Sequence, residues 1–130
     1  MRGTFPVSNS GIRAAFEFLE AGLNKLGHSG PMLQRLSIML DELCANMIRH
    51  DPKLNAQSDF TIELGEDDDA IVMTVLDPGQ PFDPLDHTVT LGADGGGRGL
   101  LLIHSLSTEA DYQRIEDQNR LRIVIRDGSG

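Results

Sequence analysis

The chain has 130 residues and carries 20 acidic against 11 basic residues, for a net charge of −9. That length suits one domain with its own core, and the negative charge argues against a nucleic-acid-binding surface, which needs clustered Lys and Arg. A single cysteine excludes an internal disulfide, and no apolar run is long enough for a membrane span or a signal peptide. We therefore expect a cytoplasmic protein made of one domain, residues 1–130, with no nucleic acid or membrane as partner.

The chain begins with a predicted strand and a predicted helix. Residues 4–7 can form a short strand, and residues 8–10 offer side-chain acceptors for the first free amides of a helix. Apolar residues then recur at helical spacing over residues 12–26, and Gly27 can end this run.

A second helix is predicted to begin at Pro31 and to be closed by Pro52. One apolar stripe runs along it, formed by Leu33, Leu36, Leu40, Leu43 and Met47. Further apolar residues, among them Ile38 and Ile48, lie outside this stripe. The pattern therefore predicts a helix that is buried on more than one side.

After the second helix the apolar period changes to two, which is typical of strands. We expect strands at residues 60–64, 70–76, 110–115 and 121–125, turns at 65–69 and 116–119, a loop at 77–98 and a short helix at 100–106. Segregated helices and strands indicate an α+β fold. The sequence predicts a two-layer sandwich in which about three helices cover one face of a mixed, mostly antiparallel sheet.

Three polar side chains, Glu42, Asn46 and His50, are spaced four residues apart and share one side of the second helix. A carboxylate and an amide among apolar neighbours are costly to bury without partners. A Mg²⁺ ion held by the oxygen of Asn46, and a water or hydroxyl polarised beside Glu42, would supply such partners. The alternative is a solvated polar edge beside a core stripe.

A second group of residues follows the predicted apolar strand 70–76. Asp77 stands at its mouth, where a carboxylate can accept a hydrogen bond from an exocyclic amine such as that of adenine. Gly79 would let a flat base approach the backbone closely. Asp, Pro and Gly are also the usual turn residues, so a simple turn is the alternative.

A third group, residues 94–99, reads DGGGRG and runs directly into the apolar helix 100–106. Glycines before a helix expose amides at the positive end of its dipole, which favours phosphate binding. Arg98 adds a positive charge. No Gly-Lys-Ser/Thr follows, so the segment is not a P-loop, and no strand runs directly into it as a Rossmann fingerprint requires. A flexible loop is the alternative.

Taken in this order, the three groups resemble the motifs of the GHKL ATPase superfamily, which includes gyrase-type, histidine-kinase-type and mismatch-repair-type ATP-binding domains. Residues 41–50, DELCANMIRH, are similar to its asparagine box. Residues 77–84, DPGQPFDP, resemble its first glycine box, and residues 95–106, GGGRGLLLIHSL, its second. The resemblance covers nearly the whole chain and is close to the short-lid branch, the anti-sigma-factor serine/threonine kinases.

The resemblance implies a role for each matching residue. Glu42 would be the general base, Asn46 the Mg²⁺ ligand and Asp77 the adenine contact. The remaining positions that it places around the nucleotide are His50, Gly79, Phe82, Gly95, Gly97, Arg98, Gly99 and Leu100. Relatives often carry small or aromatic residues after the histidine, where this chain has Asp51 and Pro52.

The same resemblance implies ATP and Mg²⁺ as cofactors and a single kinase-like domain. Its substrate would be an anti-sigma-factor antagonist with a phosphorylatable serine or threonine, its second partner a sigma factor, and its assembly a homodimer. Two other functions stay open. One is the catalytic ATP-binding domain of a two-component histidine kinase, against which the phenylalanine-aspartate-proline turn argues. The other is a non-catalytic ATP-dependent binding switch, which would not need Glu42.

Overall fold

The computed structural model describes residues 1–28, 30–49, 54–55, 57–81 and 106–126. Its elements in chain order are β1 (Arg2–Pro6), α1 (Asn9–Lys25), α2 (Pro31–Arg49), β2 (Asp59–Asp67), β3 (Ala70–Asp77), β4 (Glu109–Ile115) and β5 (Gln118–Arg126). The strands form one sheet in the order β1-β2-β3-β5-β4. Neither of the helices described here is long and apolar enough to cross a membrane.

The α+β fold expected from the sequence is confirmed, and its sheet can be described more closely. Each strand pairing in the described part of the chain is antiparallel, and α1 and α2 contribute to one core with the sheet. Of the third helix predicted at 100–106, only Leu106 lies within the described residues.

The start of α1 follows from its sequence. Ser8 is the N-cap, with extended backbone, and its hydroxyl accepts a hydrogen bond from the amide of Gly11 over 3.1 Å. Gly11 is buried against the preceding strand, where a Cβ would lie 1.9 Å from the carbonyl oxygen of Pro6. Glycine is therefore required for the helix to fold back directly on β1. The helix ends before Gly27, whose positive φ of 82° is typical of the residue after a C-cap.

The helix α2 buries one broad side rather than two. Its fully or nearly fully buried apolar residues are Met32, Leu36, Met39, Leu40, Cys44 and Met47. The expectation of burial on more than one side is wrong for Ile38 and Ile48, which are 38% and 45% exposed. The reason is geometric, since a two-layer fold offers each helix one sheet face and a neighbouring helix, and residues pointing away from both meet solvent.

The two hairpin turns are shorter than the sequence predicted. The β2–β3 turn is Asp68 and Asp69, with φ of 47° and 69°, and the β4–β5 turn is Glu116 and Asp117, with φ of 49° and 64°. Two successive positive φ angles are typical of two-residue hairpin turns, whose twist matches that of the flanking strands. The residues predicted around these turns, including Gly65 and Asn119, therefore belong to the strands.

Alternation along the central strands defines an inner face of the sheet, which packs against the helices. In β3 the fully or nearly fully buried residues Ile71, Met73 and Val75 belong to the core cluster, as do Leu121, Ile123 and Ile125 of β5. Continuing the same period toward one end of the sheet places Asp77 and Asn119 on this inner face. On the outer face, a depression of about 540 Å³ is lined by residues that include Thr74 and Arg122.

Candidate functional site

A row of three polar side chains crosses the sheet where its apolar inner face ends. Asp77 of β3 is paired directly with Asn119 of β5, and Asn119 is paired in turn with Arg114 of β4. Directly paired residues in an antiparallel sheet project to the same face. Because Asp77 and Asn119 continue the buried phase of their strands, the whole row lies on the face that the helices cover.

The three side chains of this row all form hydrogen bonds with the turn that follows β3. The amide of Gly79 donates a hydrogen bond to Oδ1 of Asp77 over 2.9 Å, which closes an Asx-type turn. Arg114 donates from Nη1 to the carbonyl oxygen of Gly79 over 2.7 Å, and Gly79 is buried. The turn predicted from Asp, Pro and Gly is therefore present, and the guanidinium of Arg114 on β4 also binds it.

Asn119 links this turn to the sheet. Its Nδ2 donates to Oδ1 of Asp77 over 3.0 Å and to the carbonyl oxygen of Gln80 over 2.8 Å. Its Oδ1 accepts a hydrogen bond from the hydroxyl of Tyr112. The amide orientation is unambiguous, because the flipped form would turn an oxygen toward two acceptors.

Asn119, Arg114 and Tyr112 are not among the site residues predicted from the sequence. One signal was available for Asn119, since the period of Leu121, Ile123 and Ile125 places it in the core phase. A polar residue at a core position needs a partner. Nothing in the sequence identifies that partner, because Asp77 lies 42 residues earlier in the chain.

The polar residues predicted on α2 lie one helical turn apart. Glu42 and Asn46 are both half-buried, and they flank Cys44, which belongs to the core. Nδ2 of Asn46 is buried and has no hydrogen-bond partner within the described part of the chain. Leaving such a donor unpaired costs about 1–3 kcal/mol. A solvated polar edge does not bury an amide nitrogen, so this observation favours a position that faces a ligand.

The donor set suits a magnesium ion bound together with phosphates better than a closed metal site. The residues that the structure describes contain no group of three or more His, Cys, Asp or Glu side chains that would hold a metal ion. Mg²⁺ usually takes only one or two protein ligands and keeps waters and phosphate oxygens as the others. One amide oxygen, from Asn46, is compatible with that mode of binding.

The phosphate-binding half of the predicted site lies outside the described residues. This applies to the glycine-rich residues 94–99 and to His50, Phe82 and Leu100. Among the predicted positions, the structure therefore describes Glu42 and Asn46 on α2, and Asp77 and Gly79 at the end of β3. For all of them, the roles assigned from the sequence stay predictions.

The buried thiol of Cys44 does not contribute to the chemistry of this site. Cys44 is 1% exposed, and burial, with a smaller effect from the charge of Asp41, raises the pKa of its thiol to about 12. A thiol with so high a pKa is almost entirely protonated at neutral pH and a poor nucleophile. Cys44 is therefore a small core residue rather than a nucleophile.

Two curated proteins are similar to this chain in sequence. The chain is 28% identical over 100 residues to a serine-protein kinase RsbW from Bacillus licheniformis, covering 69% of this chain and 62% of that one. It is 29% identical over 101 residues to an RsbW from a named strain of the same species, covering 69% and 63%. The chain therefore matches less than two thirds of the length of these curated relatives.

Two solved structures have a similar fold. The RsbU and RsbW domains of a Mycobacterium tuberculosis protein superpose with a TM-score of 0.65 at 15% identity, over 97% of this chain and 31% of that one. The SiaB–SiaC complex from Pseudomonas aeruginosa gives a TM-score of 0.65 at 21% identity, over 96% and 89%. At these identities the structures show the fold alone.

The family assignment depends on a match along most of the sequence. Residues 5–125 match the family described as the histidine kinase-like ATPase domain. This range contains all three motifs on which the resemblance to the GHKL superfamily was based, together with all the strands of the sheet except the first residues of β1 and the last residue of β5. The chain belongs to the histidine kinase-like ATPase domain family.

Proposed function

We propose that this chain is an ATP-binding anti-sigma regulatory factor that acts as a protein serine/threonine kinase. The observation that carries the proposal is the buried, unpartnered Nδ2 of Asn46, one helical turn from the carboxylate of Glu42. Family membership supports ATP as the nucleotide. The similarity to serine-protein kinases supports transfer to a hydroxyl group.

The base of the nucleotide would be recognised at the end of β3. Asp77 presents a carboxylate whose Oδ1 is already held by the amide of Gly79 and the side chain of Asn119. A carboxylate is a pure acceptor, and it suits the exocyclic amine of adenine. The glycine-rich residues, including Gly95, Gly97 and Gly99, would bind the phosphates with Arg98.

Glu42 and Asn46 would act on the transferred phosphate from α2. Asn46 would hold Mg²⁺ through Oδ1, and the ion would neutralise charge on the phosphate oxygens when bound. Glu42 takes the proton from the attacking serine or threonine hydroxyl of the protein substrate. The hydroxyl oxygen forms the new bond to the γ-phosphorus while the bond to the β–γ bridging oxygen breaks, and ADP leaves.

The proposed partners follow from the same relatives. The substrate would be an anti-sigma-factor antagonist, the second partner a sigma factor, and the assembly a homodimer of a single kinase-like domain in the cytoplasm. Sedimentation of the purified chain at high concentration tests the homodimer, which a monomer would contradict.

Labelled ATP tests the reaction itself. The purified chain is incubated with Mg²⁺, γ-labelled ATP and candidate antagonist domains copurified from its native host. We expect acid-stable phosphoserine or phosphothreonine on the antagonist. Acid-labile phosphohistidine would instead indicate a histidine kinase catalytic domain, and ATP-dependent binding without any label would indicate a non-catalytic switch.

A further inference from the structure

We propose that the β4–β5 hairpin positions the base-recognition turn through Tyr112, Arg114 and Asn119, and thereby sets a preference for adenine over guanine. The inference rests on the proposed function, because it assigns a purpose to the surroundings of Asp77. None of these three side chains belongs to the motifs that the sequence analysis singled out as nucleotide contacts. They would act through Asp77 and the turn, as positioning residues.

Asn119 is buried for a reason that the fold alone does not explain. It is 7% exposed, although the following residues of the same phase along β5, Leu121, Ile123 and Ile125, are apolar core residues. Its amide uses both of its polar atoms, with two bonds from Nδ2 toward the turn and one bond at Oδ1 from Tyr112. A leucine at this position would continue the apolar core, so the asparagine stabilises this particular turn geometry.

Tyr112 and Arg114 complete the support on the neighbouring strand. Tyr112 packs partly against the core and directs its hydroxyl at Oδ1 of Asn119. Arg114 reaches the carbonyl of Gly79, which lies 35 residues away in sequence. The carboxylate, the Gly79 carbonyl and the Gln80 carbonyl are thus each held by a donor from β4 or β5.

A fixed carboxylate discriminates between bases better than a mobile one. Adenine presents an exocyclic amine, which donates, where guanine presents a carbonyl oxygen, which accepts. A carboxylate that cannot rotate away leaves guanine facing an acceptor with no proton between them. Specificity of this kind depends on the penalty for the wrong partner and therefore on rigidity.

The test compares the binding of ADP and GDP by isothermal titration in Mg²⁺. The ratio of their dissociation constants is the readout, because both nucleotides need a folded chain and the same phosphate contacts, so a general loss of stability does not change it. Asn119→Leu removes the hydrogen bonds of the side chain to Asp77, Gln80 and Tyr112. We expect its preference for ADP to fall by about tenfold or more, and that of Tyr112→Phe by about threefold to tenfold.

The same hairpin offers a matched control on its other face. Arg120 donates to Oε1 of Gln113 over 3.3 Å, across the same two strands but on the exposed side. Arg120→Gln weakens a cross-strand hydrogen bond without touching the turn, so its ADP preference should equal that of the parent chain. If Arg120→Gln lowers the preference as much as Tyr112→Phe does, the effect belongs to the hairpin as a whole and the proposal is overturned.

Asp77→Asn separates this proposal from the proposed function. If Asp77→Asn abolishes the ADP preference and Asn119→Leu retains it, the positioning role alone is wrong. If the parent chain binds neither nucleotide, or Asp77→Asn leaves the preference intact, the proposed base contact fails and the positioning role fails with it. Should Asn119→Leu not fold, Tyr112→Phe decides, since it removes only one oxygen atom.

Discussion

Two asparagines, one on α2 and one on β5, have side-chain amide nitrogens that differ in their hydrogen bonding. Nδ2 of Asn46 has no hydrogen-bond partner in the described part of the chain, whereas Nδ2 of Asn119 donates to two acceptors. A buried donor with partners stabilises the fold, and one without partners destabilises it. The difference supports the proposal that Asn119 belongs to the scaffold of the site and that Asn46 binds a ligand.

We therefore expect Glu42 and Asn46 to serve function and Asn119 to serve stability. Substitutions of Glu42 and Asn46 on α2 should change binding and chemistry with little loss of folding free energy. Substitutions of Asn119 on β5 should reduce the free energy of unfolding, and change nucleotide preference only through the turn. Four measurements test this separation.

The largest effect is expected from Glu42→Gln on the α2 side. Phosphate transfer to a partner serine should fall by about two to four orders of magnitude, the usual contribution of a general base. Nucleotide affinity should be nearly unchanged, because the amide keeps the volume and shape of the carboxylate. Asp41→Asn is the matched control, since Asp41 is the adjacent, exposed carboxylate. Transfer at the parental rate by Glu42→Gln would contradict the proposed mechanism.

On the β5 side, Asn119→Leu should lower the free energy of unfolding by about 3 kcal/mol, roughly 1 kcal/mol for each of its three hydrogen bonds. The variant also leaves the Gln80 carbonyl and the Tyr112 hydroxyl without this partner. Urea denaturation without nucleotide measures the change. A midpoint equal to that of the parent would show that the network contributes nothing to stability, and the comparison with Asn46 would lose its basis.

The corresponding change on α2, Asn46→Leu, should act in the opposite direction. Replacing an unpaired buried amide by an apolar group of similar size should raise the free energy of unfolding by about 1 kcal/mol. Affinity for Mg-ADP should fall by about tenfold, because an ion ligand is lost. Urea denaturation and titration calorimetry on the same sample give both values. A loss of stability as large as that of Asn119→Leu would break the comparison.

The smallest effect concerns Cys44, which lies between Glu42 and Asn46 but faces the core. Burial raises the pKa of its thiol from 9.0 to about 12 in the folded chain, so between these values the native state holds the proton more tightly. Stability contributed by the neutral thiol is present below pH 9 and is lost as pH rises. We expect a loss of about 1 kcal/mol between pH 8 and 10. The loss is measured as the difference from Cys44→Ala, and equal slopes for both proteins would contradict it.

Much of the fold could be predicted because its signals are local. The strand at β3 is a nearly continuous apolar run, and the start of α1 depends on a serine within four residues of its partner amide. The lengths of the two hairpin turns were overestimated, because Asp and Glu do not predict a positive φ as strongly as glycine does. The burial of α2 was overestimated as well, because an apolar side chain does not show by itself whether another helix or the sheet will cover it.

The family, the order of the described helices and strands, and the candidate residues Glu42, Asn46, Asp77 and Gly79 were all predictable from the sequence. The face on which Asp77 lies was not predicted, because the nearly continuous apolar run of β3 shows no alternation from which to assign one. The neighbours of Asp77 across the sheet could be seen only in the folded chain. They depend on β5 lying between β3 and β4 in the register that pairs Asp77 with Asn119 and Asn119 with Arg114. Register between strands distant in sequence is set by packing of the whole sheet, which no local pattern encodes.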